Sequence, residues 1–437
     1  MKPFDIVSLS PIWLPGGGAP ELVPAAAVRA GGIGLLDAEF CPAAGVPAAM
    51  ATLDRLLAAL PAPDAGAPVV GLRLEWAQRH THAPLLAALA GRPHHLVLCG
   101  WDARTVAADP AADPAADLAE LAAPARHIWL EVGAVADTAS APAHDFAGWV
   151  ARGAECGGRC GQEAAFILTQ HLARQDRPFW VAGGIGLHTA AACRAAGAAG
   201  VILDDALLLL RESPLPPRQR ALLQPVGSQD TAVVQGRRVV VRPGFNAGRR
   251  AVGQAEDAAP LRLGYGDPEQ EAWPLGQSVG WAAAFAHRYG TVGRTFQAIR
   301  AASAEHLPAA VAAAPLAPDA PLAQFHGTRY PIVQGPMTRV SDRAEFAAAV
   351  AASGALPLLA LAQLRGEEAT QLLTATQQLL AGRSWGVGLL GFLPPELRAE
   401  QMAAVLAAKP PFALIAGGRP DQAAPLEALG IPRTRVE

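Results

Sequence analysis

The stretch FWVAGGIGLHTAAACRAAGAAGVILDD (179–205) holds two short apolar runs on either side of an alanine-rich segment. FWVAGG (179–184) and GVILDD (200–205) have the length and composition of buried strands, and HTAAACRAAGA between them has helical spacing. Strand, helix and strand in that order make a parallel crossover unit. The same alternation runs back to the N-terminus. FDIVSLS (4–10), GIGLLDA (32–38), VVGLRLE (69–75), HLVLCG (95–100), HIWLEVG (127–133) and GWVARG (148–153) complete eight candidate strands within residues 1–210. Stretches such as AAMATLDRLLAAL, HAPLLAALAG, DLAELAAPA and AAFILTQHLARQ supply helices between most of them. Apolar strands alternating with helices imply a parallel sheet covered on both faces. Eight of them predict an α/β chain opening with a closed (β/α)₈ barrel, somewhat shorter than the roughly 250 residues usual for one. One link, ADTASAPAHDF (136–146), reads as non-helical.

Residues 211–305 break the pattern. QDTAVVQGRRVVVRPG (229–244) reads as a hairpin, and WPLGQSVGWAAAFAHRYGTVGRTFQAIRAASAEH (273–306) as one or two helices. This region is either a small domain of its own or, preferably, a lid or closing segment of the first barrel. Residues 306–324 are rich in Ala and Pro and read as a semi-rigid, solvated linker. From 325 to 437 the alternation restarts with YPIVQGPM, ALPLLALA, SWGVGLLGFL and FALIAGG as strands, each followed by a helix. Four such units predict the first half of a second, similar barrel, and half a barrel leaves two open edges. The reading therefore places this chain within a longer multidomain polypeptide, or with a partner half from elsewhere.

Composition narrows the function classes. The 437 residues are 51% hydrophobic and 17% charged, with net charge −3, which suits a globular chain. Arg237, Arg238 and Arg242 form the densest basic spot, but they sit in an apolar run and read as a strand edge. Nucleic acid is not an expected partner. Five cysteines are scattered, and Cys156 and Cys160 lack a second ligand pair, so neither a zinc site nor any other metal is expected. The start, MKPFDIVSLSPIW, has no secretory pattern, and no run of 18 apolar residues occurs. A soluble, cytoplasmic protein without membrane contact is expected.

Three segments carry a family likeness. GAECGGRCGQEAAFIL (153–168) resembles the Gly-x-Glu-(Ala/Cys)-Gly-Gly-His-x-Gly segment of nitronate monooxygenases and flavin-dependent enoyl-acyl carrier protein reductases. Residues 179–209 resemble that family's penultimate strand, glycine turn, helix and last strand. YPIVQGPMTRVSDRAEFAAAVAASGALPLLA (330–360) resembles its opening strand and first helix, and the Gly-Gln of LGQSVGWAAAFAHR (275–288) its closing segment. The resemblance implies FMN as cofactor, with NAD(P)H as its reductant if the chain is a reductase. It implies enoyl-thioester reduction or nitronate oxidation on an acyl-carrier-bound or small-molecule substrate. Tandem barrels on one chain resemble the polyketide or fatty-acid synthase setting, with homodimerisation a further expectation.

Carried over residue by residue, Gly183, Gly184 and Gly186 stand where backbone N–H groups approach the FMN phosphate. Their plain reading is a strand-to-helix turn. Asp204 and Asp205 stand where the family has a small uncharged pair, usually Gly-Thr, that donates to phosphate. Two carboxylates there bring like charge and acceptors against a dianion. Arg159 replaces the family's His and stays protonated, so it is no general base. It either binds a substrate anion or pairs with Glu155 or another acid. Glu155 matches the family's acid, or orients the turn backbone by a hydrogen bond. In the second barrel, Gln334, Gly335 and Met337 match the residues beside the isoalloxazine, with Met337 as core filler the plain alternative. Ser341-Asp342 reads as a helix N-cap. Gly388 stands where the family has Asn. The first barrel thus reads as a degenerate flavin barrel. The alternative is a non-catalytic pseudo-enzyme for docking, dimerisation or carrier-protein binding.

Overall fold

The computed structural model describes residues 4–15, 18–60, 68–100, 126–140, 146–254 and 259–431. Its strands in chain order begin β1 (Asp5–Pro11), β2 (Ile33–Asp37), β3 (Val70–Glu75), β4 (His94–Cys99), β5 (Arg126–Val132), β6 (Gly148–Arg152), β7 (Gly158–Arg159), β8 (Phe179–Ala182) and β9 (Gly200–Leu203). β1 to β6, β8 and β9 form a closed barrel of eight parallel strands, sealed where β1 pairs with β9 (Asp5↔Gly200). All eight predicted strands are in it. The helix read over DLAELAAPA falls at 117–125, outside the described residues. Of the irregular link, Val135–Ser140 is a 3₁₀ turn.

Strand periodicity builds two apolar layers. Val7, Leu35, Val97, Trp129, Val150, Trp180 and Ile202 fill the interior, while Ile6, Leu36, Leu72, Leu98 and Leu130 face the helices. The interior is unusual in holding two stacked indoles. Trp129 and Trp180 lie 3.7 Å apart with planes 16° from parallel. Each indole N–H has a partner: Trp129 donates to His95 Nδ1 (3.0 Å) and Trp180 to Asp5 (3.1 Å). Gly148 makes room, since a Cβ there would come 2.6 Å from the Trp129 ring.

The hairpin predicted at 229–244 is β10 (Thr231–Val234) and β11 (Arg237–Val240), turned at Gln235-Gly236, both with positive φ (50° and 69°). β11 also pairs with β7 through Arg237↔Arg159, which ties the hairpin to the loop after β6. Arg237 and Arg238 are thus strand residues. The helix Val292–Ala313 sends Phe296 and Ile299 into the barrel's outer core.

The segment read as a solvated linker, 306–324, is largely helical. The helix runs on to Ala313 through Pro308, and Pro321–His326 forms another, ended by Gly327 at φ 63°. Alanine's helix propensity outweighs the single hydrogen bond that Pro308 removes.

The chain divides into two compact units, residues 1–308 and 309–437. In the second, β12 (Val333–Gln334), β13 (Leu356–Ala360), β14 (Gly386–Leu390) and β15 (Phe412–Ala416) form a parallel sheet in chain order. Helices cover one face through Ala347, Leu373, Val405 and Leu426. β12 and β15 each have one neighbour only among the described residues. A fifth strand beginning at IPRTRVE falls almost wholly outside them.

Candidate functional site

In a parallel barrel, loops at the C-terminal strand ends build the site. Here those ends carry charge in the midst of apolar strands. Arg73, 1% exposed near the end of β3, binds Glu131 of β5 through Nε and Nη2 (2.8 and 2.9 Å). Its Nη1 donates to Glu39 (2.6 Å) and to both oxygens of Asp37 at the end of β2 (3.1 and 3.0 Å). Burial opposes its charge, but Asp37, Glu131 and Glu39 together hold the guanidinium well above its ordinary range. Burial pushes the Asp37 carboxyl up despite Arg73 beside it. Glu39 is held down, because Arg73 and Arg152 outweigh its burial. Arg152, at the end of β6, donates to the carbonyls of Gly157 (2.5 Å) and Arg159 (2.9 Å).

None of this network was predicted. The signal was present as charges late in four apolar strands: one each in GIGLLDA, HIWLEVG and GWVARG, and two, Arg73 and Glu75, in VVGLRLE.

The residues that were predicted lie around it without converging. Arg159 donates to Glu75 at the end of β3 (2.7 Å), not to Glu155. Glu155 instead accepts from the backbone N–H of Ala165, where the next helix begins (3.0 Å). Gly183 and Gly184 take left-handed backbone (φ 103° and 63°). The N–H of Gly186 donates to Thr189 Oγ1 (2.6 Å), and the Trp281 indole lies 3.4 Å from where a Cβ at Gly186 would stand.

Asp204 and Asp205 turn to residues 276–278. Gly276 N–H donates to Asp205 (2.6 Å), and Ser278 donates to Asp204 (2.8 Å). Asp204 also accepts from the N–H of Asp205 (2.7 Å). Burial, with Asp204 alongside, holds the Asp205 carboxyl well above the usual range. Between Asp37, Arg152, Asp204, Asp205, Ser10 and Tyr265 the open space is ≈ 20 Å³. That is room for about one water, where ligand pockets measure roughly 300–1,000 Å³.

In the second unit, Gln334 donates to the carbonyls of Gly335 and Leu358 (3.4 Å to the latter) and accepts from Leu358 N–H (3.3 Å). Its amide is spent on its own sheet. Met337 is 45% exposed, so it does not fill a core. Ser341 caps the turn at Met337 (2.7 Å) rather than the helix, which starts at Ala344 after Arg343. Gly335 has open space where a Cβ would go, while a Cβ at Gly388 would collide with the Pro336 ring. Gly388→Asn is therefore expected to lower the stability of this unit by about 1–3 kcal/mol, measured by urea unfolding. An unchanged midpoint would show that Pro336 gives way.

No family model matches the chain, and no curated protein matches its sequence. Solved structures do. FabK from Thermotoga maritima superposes with a TM-score of 0.52 at 18% identity, over 71% of this chain and 95% of that one. A nitroalkane oxidase from Streptomyces ansochromogenes gives 0.52 at 20%, over 70% and 98%. The enoyl reductase domain of MlnA, from the macrolactin biosynthesis cluster of Bacillus amyloliquefaciens, gives 0.50 at 10%, over 70% and 95%. The likeness is one of fold.

FMN, the cofactor implied by the sequence resemblance, does not fit the described residues of the first barrel. A phosphate at the end of β9 would meet the Asp204 and Asp205 carboxyls, and the N–H groups of Asp205 and Gly276 there are already bonded to them. At the same end of the barrel the buried charges of the Arg73 network hold one another. Among the described residues no three His, Cys, Asp or Glu side chains are placed to hold a metal ion, and no helix is long and apolar enough to cross a membrane.

Proposed function

We propose that the chain is a flavin-oxidoreductase-like protein whose first barrel is a non-catalytic body. That barrel serves docking, dimerisation or carrier-protein binding in a polyketide or fatty-acid synthase setting. Flavin chemistry, as enoyl-thioester reduction or nitronate oxidation, is assigned to the second unit. The observation that carries this reading is a paired difference between the units. Asp37 faces Arg73 across the second and third strands of the barrel, and Ala360 faces Gly388 across the second and third strands of the other unit. One pair fills its sheet end with an ion pair, and the other carries no charge there, with the Pro336 ring packed over Gly388. The neighbours named for enoyl reduction and nitroalkane oxidation support the kind of chemistry. When bound, FMN supplies hydride transfer, with NAD(P)H as reductant in the reductase case. Gly335 and Met337 would line its place, with Pro336 standing between it and Gly388. Arg159, held by Glu75, orients the loop after β6 in this reading rather than meeting a substrate anion.

Titrating the full chain with FMN tests the assignment through flavin fluorescence. Bound flavin is expected to be lost in Gly335→Trp, where there is open space to fill, and kept in Gly184→Trp. Flavin that survives the first change and is expelled by the second overturns it. A chain that takes up no FMN at all assigns the docking role to both units.

A further inference from the structure

We propose that the helix Ala165–Leu172, which follows β7, is a docking face for a second copy of this chain, the two helices packing antiparallel across a two-fold axis at Gln170. The proposal rests on the reading of the first barrel as a non-catalytic body and gives its dimerisation role to one face.

The helix turns Ala165, Leu168, Thr169 and Leu172 towards the barrel. At about 100° per residue, Phe166, Gln170, Arg174 and Ile167 then share the opposite side. The turn continues far enough to carry Arg174, whose N–H donates to the His171 carbonyl (3.1 Å). Phe166 is 71% exposed and Ile167 46%. Single apolar side chains in water are ordinary, but a neighbouring pair this open on one helix marks a contact surface. Among the other described helices between barrel strands, Leu22 is the one large apolar side chain left exposed.

The stripe complements itself. A two-fold contact sets each residue against a different one unless it lies on the axis. About Gln170, Phe166 falls opposite the partner's Arg174 and Ile167 opposite the partner's Ala173, and each pairing occurs twice. The Arg174 guanidinium has no hydrogen-bond or ion-pair partner among the described residues, and the face of an exposed phenyl ring attracts a cation. Gln170 donates to the Phe166 carbonyl at 3.4 Å and keeps its amide oxygen to accept from the other Gln170 across the axis. An axis at Phe166 would stack the two rings but leave both arginines unmatched. Aromatic side chains and Arg are also the residues that interface centres favour. One short helix from each copy buries less than the roughly 1,200 Å² of a stable interface, so a reversible dimer is expected, with a Kd of about 1–100 µM.

Sedimentation equilibrium of the full chain tests this. Phe166 is at the surface, so its variants keep the barrel core intact. Phe166→Lys sets a cation against the partner's Arg174 and is expected to weaken the dimer by about thirtyfold or more. Phe166→Glu also removes the ring but restores attraction, so its dimer should be about five times tighter than that of Phe166→Lys. A full chain that stays monomeric up to about 500 µM overturns the proposal and leaves the stripe to a different partner. A dimer that survives Phe166→Lys uses another face, and equal weakening by Lys and Glu removes the pairing with Arg174; either result overturns it. FMN uptake by the first barrel is read separately, by the flavin titration, so failure of the non-catalytic reading and failure of this face are told apart.

Discussion

Replacing Arg73 with alanine is expected to destabilise the first unit by about 3–5 kcal/mol, the range for stranding a buried charge by removing its partner. The cause is on the acid side. Asp37, Glu39 and Glu131 all bond to this one guanidinium, and Glu39 and Glu131 are 4% and 5% exposed. Without Arg73 they must take up protons or draw water into the barrel mouth, and either course is unfavourable. Arg73→Lys keeps the charge but loses the fork that reaches Glu131 twice, so it should fall between. Urea unfolding at neutral pH measures both. A loss under 1 kcal/mol in Arg73→Ala would show that Arg152, 3.6 Å from Glu131, takes over.

Acid should weaken the same unit from its other end. His95 is buried inside the barrel, accepting at Nδ1 from Trp129 and bonded at Nε2 to the Pro68 carbonyl (3.0 Å). With Nδ1 accepting, Nε2 is the donor and the ring is neutral. Burial, aided by the neighbouring His127, pushes its pKa down to about 3. The sign follows from linkage. Between the unfolded value near 6.5 and the folded value, the unfolded chain binds a proton that the folded chain refuses. Stability is therefore complete above pH 6.5 and declines as pH falls towards 3. The limit is a loss of about 5 kcal/mol from this one residue. His95→Gln keeps an acceptor and a donor but does not titrate. Its unfolding free energy should lack that part of the slope between pH 6.5 and 4. Parallel slopes for the two proteins would remove His95 as the cause.

The eight barrel strands were legible because each is a short apolar run closed by Gly or a helix, and a strand buried on both faces needs little else. The hairpin was legible from Gln235-Gly236 between two β-branched runs. The linker's exposure over 308–316 agrees with a solvated spacer, but its helix was not legible from Ala and Pro together. Helix formation there turns on whether one proline can be carried, which composition does not report. In the second unit Ser341 was assigned to the wrong partner, because a serine caps whichever nearby N–H the backbone presents.

The site divides in the same way. The resemblance picked out Arg159, Glu155, the glycine turn and the aspartate pair, and all of them lie at the C-terminal end of the barrel. Asp204 and Asp205 read as charges pressed against a phosphate, which made the site look damaged. Tertiary structure gives them other partners, Gly276 and Ser278, more than seventy residues along the chain. Arg73 likewise meets acids 34, 36 and 58 residues away. By itself the sequence determined the barrel, because strand length, apolar content and alternation are local properties that each segment carries alone. Only the fold decided what its mouth holds. A buried charge has no meaning until its partner is in place, and barrel closure brings those partners together.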